Sequence, residues 1–280
     1  MTAPASSIVE PFFLRTTDHA LFCLAGRLAP GVQRTGIGVL ICPPFAEEMN
    51  RVRPTQRLLT ESLAREGTIA IACDLRGTGD SDGDFAEARW GDWLDDLGAA
   101  ADWLHRAGCE RLVLLGVRAG ALLAGAFLDR SARNLAAVVL WQPQLAGKAV
   151  LTDLLRGRVA AAAAVGERES VAALRSALAA GQTVEAAGYA IGGGLAAALD
   201  QVTLPDSLAE RANTLLWLEI TSAAATPVRP AANALVNRWR GLRLPVTLSQ
   251  VVDPPFWSTT ETTIGTATVA ATVAELQRCT

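Results

Sequence analysis

With 280 residues, half of them apolar, the chain is long enough for one large α/β domain or two small ones. Its formal net charge of −3 gives no electrostatic reason to expect nucleic acid or an anionic membrane as a partner. Residues 1–16 lack the basic start and the long apolar stretch of a signal peptide, and the longest apolar run, 135–141, is too short to span a bilayer.

The five cysteines are an odd number without paired spacing. Cys23, Cys42 and Cys73 fall inside predicted strands, where a thiol usually behaves as a small buried hydrophobe. This pattern predicts a reduced, cytoplasmic protein without a structural disulfide or a metal site. No cofactor is expected either.

The first half of the chain alternates strands and helices. Residues 11–14 and 21–28 predict an opening β-hairpin. The next predicted elements are strand 37–42, helix 54–66 beginning at Pro54, strand 68–74, helix 90–107, strand 112–115, helix 119–130 and strand 136–141. Such an alternation favours a parallel sheet with right-handed crossovers.

The pattern changes at residue 147. Residues 147–205 are rich in alanine, contain short helix-like stretches broken by glycines, and show no convincing strand. Beyond them we predict strand 214–220, helix 228–240, strand 246–252 and a helix ending near residue 279. We therefore expect a mostly parallel eight-stranded sheet with helices on both faces. Residues 1–146 and 206–280 form this core, and residues 147–205 form a helical cap over the carboxyl ends of the strands.

A loop rich in glycine and aspartate follows strand 68–74 and reads DLRGTGDSDG over residues 74–83. Gly77 and Gly79 allow a tight turn, and Asp74 and Arg76 can fix it by ion pairs and backbone hydrogen bonds. The predicted role is structural, although Ser81 remains a remote candidate for a nucleophile.

Residues 112–120 have the outline of a nucleophile elbow, because a buried strand runs through Gly-Val-Arg-Ala-Gly directly into a helix. The two glycines of this motif permit a strained strand-to-helix turn. Its tip, however, is Arg118, whose guanidinium stays protonated and offers only donors, so it cannot attack a carbonyl.

In proteins with such an elbow, the loop after the strand that corresponds to 37–42 supplies half of an oxyanion hole. Two prolines at residues 43 and 44 have no N–H, so the donor there must be Phe45 or Ala46, and the other would be Ala119. Glu47 and Glu48 follow in the same loop. Either carboxylate could pair with Arg118, or both could be solvated acids at a helix start.

Element order, the DLRGTGDS loop and the elbow resemble the α/β-hydrolase superfamily over nearly the whole chain. Three segments also resemble the second hydrolase-like family associated with the exosortase A system: PPFAEEMN at 43–50, GYA at 188–190 and PFW at 255–257. The resemblance implies a hydrolase fold and an association with bacterial exopolysaccharide and protein-sorting loci.

A hydrolase elbow needs a base and an orienting acid. The base is expected after strand 246–252, but residues 253–257 read DPPFW and contain no histidine. The two histidines, His19 and His105, are most simply surface or helix-end residues. The acid is expected after strand 214–220, where residues 221–226 carry no carboxylate and Glu219 lies within the strand. Three missing groups indicate lost or replaced chemistry.

Arg118 at a helix start suits an anion such as a carboxylate, phosphate or sulfate, although an internal pair with Glu47 or Glu48 is favoured. Asp253 and Trp257 are further candidates for the same pocket. The favoured hypothesis is a pseudo-hydrolase that binds a small anionic, acyl or glycan-related ligand or a partner protein in exopolysaccharide biogenesis. The alternative is an active ester or thioester hydrolase using Ser81, Cys42, Glu47 or Asp253. A third hypothesis is a homodimer or a complex with a paralogous hydrolase.

Overall fold

The computed structural model describes residues 8–279. Its elements follow in chain order: β1 (Val9–Arg15), β2 (Ala20–Gly26), β3 (Ile37–Cys42), α1 (Glu47–Arg65), β4 (Ile69–Cys73), α2 (Trp90–Arg106), β5 (Arg111–Val117), α3 (Gly120–Arg130), β6 (Leu135–Trp141), α4 (Gly147–Ala164), α5 (Val171–Ala179), β7 (Val184–Ala186), β8 (Tyr189–Ile191), α6 (Gly193–Gln201), α7 (Ser207–Arg211), β9 (Leu215–Thr221), α8 (Pro230–Gly241), β10 (Val246–Val252) and α9 (Thr266–Gln277).

The central sheet has eight strands in the order β1-β2-β4-β3-β5-β6-β9-β10. β1 and β2 are antiparallel to each other, β2 is antiparallel to β4, and the other neighbours are parallel. Side chains alternate between the two faces, so one face packs against α1 and α9 while the other packs against α2, α3 and α8. The prediction of a mostly parallel eight-stranded sheet covered on both faces is confirmed.

Helix α1 begins at Glu47, seven residues before the predicted start at Pro54, which lies inside the helix. An internal proline removes one backbone hydrogen bond and costs about 3 kcal/mol. Met49 and Val52, in the turns before the proline, are buried. Their burial offsets that cost, and the predicted start was wrong for this reason. Across residues 8–279, no helix combines the length and the hydropathy that crossing a bilayer requires.

The segment between β6 and β9 contains helices α4, α5 and α6, as the composition indicates, but also the short hairpin β7–β8. The prediction that residues 147–205 contain no strand was therefore wrong. Ala187 and Gly188 connect the two strands with φ values of 52° and 80°. A two-residue loop with both φ values positive matches the right-handed twist of a hairpin. Tyr189 of β8 then contacts Phe85 edge to face, with 5.3 Å between ring centroids.

Cys23 and Cys73 form a disulfide, so the prediction of a chain without disulfides was wrong. Cys23 of β2 lies opposite Cys73 of β4 in the antiparallel register, and their Cα atoms are 4.1 Å apart. The two cysteines are 50 residues apart in the chain, and closing a loop of that length stabilises a fold by about 4 kcal/mol. Only the order of strands in the sheet brings them together. Cys42, Cys109 and Cys279 are free thiols.

Candidate functional site

The turn between β5 and α3 has the backbone of a nucleophile elbow. Arg118 has φ 54°, in the left-handed region that non-glycine residues rarely adopt. A Cβ atom at Gly116 would lie 2.5 Å from the Cα atom of Ala121, and one at Gly120 would collide with the carbonyl oxygens of Cys42 and Pro43. The two glycines therefore allow α3 to approach β5 and the end of β3 closely enough to form the turn.

Arg118 pairs with Glu48, one of the two acids that the sequence offered. Its Nη2 and Nε atoms donate to Glu48 Oε1 at 2.8 and 3.1 Å, and Nε also lies 3.3 Å from Oε2. Nη1 donates to the carbonyl oxygen of Gln142 at 3.4 Å. The guanidinium carbon lies 4.9 Å from the centroid of the Trp257 ring, a cation–π contact. Glu47 instead pairs with Arg51 at 2.8 Å.

Two backbone donors flank this ion pair. The N–H groups of Ala46 and Ala119 have no hydrogen-bond acceptor among residues 8–279, and both residues line the same cavity as Arg118. Ala46 has φ 56° and ψ −143°, a conformation that is normally adopted by glycine. Backbone strain of this kind is concentrated at functional sites. These two free N–H groups belong to residues that the sequence indicates as candidate donors of an oxyanion hole.

The cavity that these residues line, the elbow cavity, has a volume of about 500 Å³ and lies between the elbow and the segment that contains α4. This volume is typical of small-molecule sites. Its lining includes Phe45, Val150, Leu154, Ala187 and Trp257 as apolar residues and Glu47, Glu48, Arg51, Arg118 and Asp153 as charged residues. Among residues 8–279, no three His, Cys, Asp or Glu side chains are grouped so that they could hold a metal ion.

Asp253 follows β10 but lies outside the cavity. Its carboxylate accepts hydrogen bonds from the N–H groups of Ala267 and Thr268, at 3.3 and 2.6 Å, and from the Thr268 hydroxyl at 2.7 Å. The buried carboxylate therefore caps the start of α9. The prediction that Asp253 belongs to the pocket was wrong, because the helix start takes up its hydrogen-bonding capacity.

His19 is not a simple surface residue, contrary to the prediction. Its Nε2 atom lies 2.9 Å from Asp96 Oδ1 and 3.2 Å from Arg76 Nη2, and its Nδ1 atom lies 2.8 Å from the Thr16 hydroxyl. The His19 side chain is 11% exposed, and Asp96 is fully buried. His105 is exposed in the last turn of α2, as expected. Neither histidine lines the elbow cavity.

Ser81 and Cys42, two residues considered for unconventional chemistry, have structural roles. The Ser81 hydroxyl donates to the Asp74 carbonyl at 2.6 Å and accepts from the Phe22 N–H at 2.8 Å, which fixes the loop against β2. Complete burial raises the pKa of the Cys42 thiol, so the reactive thiolate is disfavoured. Both residues were wrong candidates, because neither presents a free nucleophile to the cavity.

The loop at residues 74–83 is held by contacts with two helices. Asp74 accepts from Arg53 of α1 at 2.7 Å and from the Asp80 N–H at 3.0 Å. The backbone N–H of Arg76 donates to Asp96 of α2 at 2.8 Å. Gly77 and Gly79 have φ values of 75° and 53°. These contacts join the loop to α1 and α2.

Glu219 of β9 is buried and belongs to a polar cluster of its own. Its carboxylate accepts from Arg229 Nη2 and Nε at 2.7 and 2.9 Å and from Trp217 Nε1 at 2.8 Å. Burial raises the pKa of this carboxyl, but the hydrogen bonds and the charge of Arg229 outweigh burial and leave the pKa below its usual value of 4.5. A carboxylate held in this way stabilises the fold.

We expect Glu219→Gln to lower the free energy of unfolding by about 2 kcal/mol near neutral pH, because Arg229 loses its charged partner. Since the folded-state pKa is lowered, the contribution is present above the unfolded value of 4.5 and is lost as pH falls through the folded value. Urea unfolding of both proteins at about pH 7 and about pH 3.5 measures the difference. A difference that stays constant or grows on acidification would contradict this assignment.

Several residues of the site could not be assigned to it from the sequence. Gln142 follows β6 with φ 42°, and its side-chain oxygen accepts from the Ile220 N–H at 2.6 Å, so the carbonyl group that Arg118 contacts is held in place. Val150 and Leu154 of α4 form part of the apolar wall. Their spacing of four residues indicates from the sequence that they share one helix face. Only the structure shows that this face lines the cavity.

The parallel sheet, the elbow and the two flanking donors define an α/β-hydrolase fold. The sequence profile of serine aminopeptidase S33 matches residues 37–187, more than half of the chain, and the chain belongs to this family. A search of curated proteins finds no match.

Solved structures share this fold at low sequence identity. Est1E from Butyrivibrio proteoclasticus, determined with ferulic acid bound, has a TM-score of 0.62 and 13% identity, with 95% of this chain and 96% of that chain covered. A proline iminopeptidase from Mycobacterium smegmatis has a TM-score of 0.57 and 12% identity, with 96% of this chain and 98% of that chain covered. An α/β serine hydrolase without a lid from Xanthomonas campestris has a TM-score of 0.56 and 14% identity, with 99% of this chain and 96% of that chain covered. At these identities the likeness concerns the fold alone.

Proposed function

We propose that this protein is a non-catalytic member of the S33 family that binds a small organic ligand in the elbow cavity. The observation that carries the proposal is the ion pair between Arg118 and Glu48 at the elbow tip. A guanidinium cannot act as a nucleophile, whereas a cation beside two unused backbone donors can bind an anion.

The surroundings of Arg118 support a loss of hydrolytic chemistry. Residues 222–226, which follow β9, include no carboxylate, residues 253–257, which follow β10, include no histidine, and no histidine lines the cavity. The one serine in the lining, Ser258, donates its hydroxyl to the Pro255 carbonyl at 3.2 Å. A serine without a base is not activated for attack.

The resemblance to the exosortase A-associated family supports a role beside exopolysaccharide assembly or protein sorting. All three segments that carry the resemblance contribute contacts near the cavity. Asn50 of the first segment donates to the Tyr189 hydroxyl of the second at 2.8 Å, and Trp257 of the third lies over Arg118. An acyl or glycan-related ligand fits such a role.

The second candidate function is hydrolysis of an ester or thioester by a carboxylate in the cavity. Glu47 faces the cavity beside the unused N–H groups of Ala46 and Ala119, so a base and an oxyanion hole are both available. Arg51 pairs with Glu47 at 2.8 Å and opposes this role, because the ion pair occupies the carboxylate that would have to approach water or the substrate.

A screen of p-nitrophenyl esters and acyl thioesters of increasing chain length separates the two functions. We expect no turnover above the rate in buffer for any substrate. Turnover that Glu47→Gln or Arg118→Ala abolishes would establish the enzyme and overturn the binding function. Because loss of activity in a variant can reflect misfolding, circular dichroism and thermal unfolding are recorded for each protein.

A further inference from the structure

The two partners of the ion pair at the elbow are held very differently. Three features hold Arg118 in place: its backbone is part of the elbow, one guanidinium nitrogen contacts the Gln142 carbonyl, and its guanidinium carbon lies over the Trp257 ring. Its side chain is 13% exposed. A cation in this position cannot follow its partner into water, so an anion must remain beside it.

The Glu48 side chain, in contrast, can move away from Arg118. Its side chain is 31% exposed and lies in the first turn of α1, where the helix dipole favours a negative charge whether or not Arg118 is in contact. The pair therefore consists of a fixed cation and an exchangeable carboxylate.

On this basis we propose that the ligand of the cavity is a monocarboxylic acid with an apolar body, whose carboxylate displaces that of Glu48 from Arg118. The proposal rests on the binding function proposed above and names its ligand class. A carboxylate matches the bidentate geometry of the guanidinium, and its oxygens can also accept from the free N–H groups of Ala46 and Ala119.

The rest of the cavity determines the body of the ligand. Beyond the charged residues, the walls are formed by Val150 and Leu154 of α4 together with Phe45, Ala187 and Trp257. These side chains offer little hydrogen bonding, and burying an apolar chain against them is favourable because it removes apolar surface from water. A cavity of about 500 Å³ accommodates a medium-length acyl chain or an aryl group.

The charges around the cavity favour a carboxylate over a phosphate. Arg51 and Arg118 face three carboxylates there, those of Glu47, Glu48 and Asp153. Exchange of one carboxylate for another leaves the charge beside Arg118 unchanged. A dianionic phosphate would add a second negative charge near acids that already exceed the bases, which raises its electrostatic cost.

Calorimetric titration of the full chain with sodium octanoate tests the head group. Octan-1-ol has the same body without the charge, octyl phosphate carries a dianionic head, and acetate has the head alone. We expect octanoate to bind at least about tenfold more tightly than each of the other three probes.

Variants test the exchange itself. Glu48→Gln removes the competing charge and should tighten octanoate binding about tenfold, whereas Arg118→Met should weaken it by at least about tenfold. Arg57 and Glu61 form a matched ion pair elsewhere on α1, at 3.1 Å. We expect Arg57→Met and Glu61→Gln to change the affinity by less than about twofold. Leu154→Trp, which fills the apolar end, should weaken octanoate binding more than acetate binding and locates the site independently of Arg118.

The outcomes are distinguishable. Equal binding of octanol and octanoate, weaker octanoate binding by Glu48→Gln, or no binding of octanoate overturns the carboxylate assignment. If octanol or octyl phosphate then binds and Leu154→Trp prevents it, the binding function stands with another ligand class. Hydrolysis of p-nitrophenyl octanoate that Glu47→Gln abolishes overturns the binding function instead.

Discussion

An Arg118→Ser variant is expected to show no detectable esterase activity. Its rate of ester hydrolysis should be at least about 10⁴-fold below that of a serine hydrolase with an intact triad. The substitution places a hydroxyl at the elbow tip beside two backbone donors, but no histidine lines the cavity to remove its proton. His19 is occupied by Asp96, Arg76 and Thr16. Release of p-nitrophenol from acetate and octanoate esters measures the rate.

The unmodified protein and a buffer blank are the controls for this experiment. A burst of p-nitrophenol followed by steady turnover would show that a base reaches residue 118. That result would contradict the structural role that we assign to His19. Adding His19→Ala to the same variant would then identify the base.

Asp96→Ala is expected to lower the free energy of unfolding by about 3–5 kcal/mol, because removing one partner of a buried ion pair leaves the others uncompensated. The Asp96 carboxylate is buried and accepts from the backbone N–H of Arg76 at 2.8 Å, from Arg76 Nη2 at 3.2 Å and from His19 at 2.9 Å. All three contacts are lost together. Urea unfolding near neutral pH measures the change.

The neighbouring residue provides a matched control. Asp95 is 71% exposed and pairs with Arg130 at 3.6 Å, so Asp95→Ala should change stability by less than about 0.5 kcal/mol. If the two variants were equally stable, the network around Asp96 would contribute little, and the loop at residues 74–83 would be held mainly by Asp74 and Arg53.

The sheet could be predicted from the sequence because its strands are continuous apolar runs. β3 and β6 are buried along their whole length, and the glycine-containing turns between elements mark their ends. The helix start at Glu47 could not be predicted in the same way. Pro54 is a common residue at a helix start, and only the burial of Met49 and Val52 shows that packing outweighs this preference.

Other features depend on contacts between distant segments. The disulfide requires β2 to lie beside β4, which no local pattern reveals. The hairpin β7–β8 has strands of three residues, too short for a period-two pattern, and the turn at Ala187 and Gly188 was its only signal. The contacts of Asp96 with His19 and Arg76 bring together residues from three separate segments of the chain.

The candidate site was predictable where two loops leave neighbouring strands. β3 pairs with β5 in parallel, so the residues after both strands meet at one edge of the sheet, and Glu48 therefore reaches Arg118. Asp253 also follows a strand, but β10 lies at the far edge of the sheet and its acid is used by α9. The apolar wall from α4 depends on how residues 147–205 fold back, which composition alone does not specify.

The glycines of the elbow have a consequence for how such proteins change over time. Gly116 and Gly120 are required by contacts with Ala121, Cys42 and Pro43, and none of these contacts involves the side chain at the tip. The turn therefore depends on the two glycines and on the chain around them, so a substitution at position 118 that tolerates a φ of 54° can alter the chemistry of the tip without rebuilding the turn.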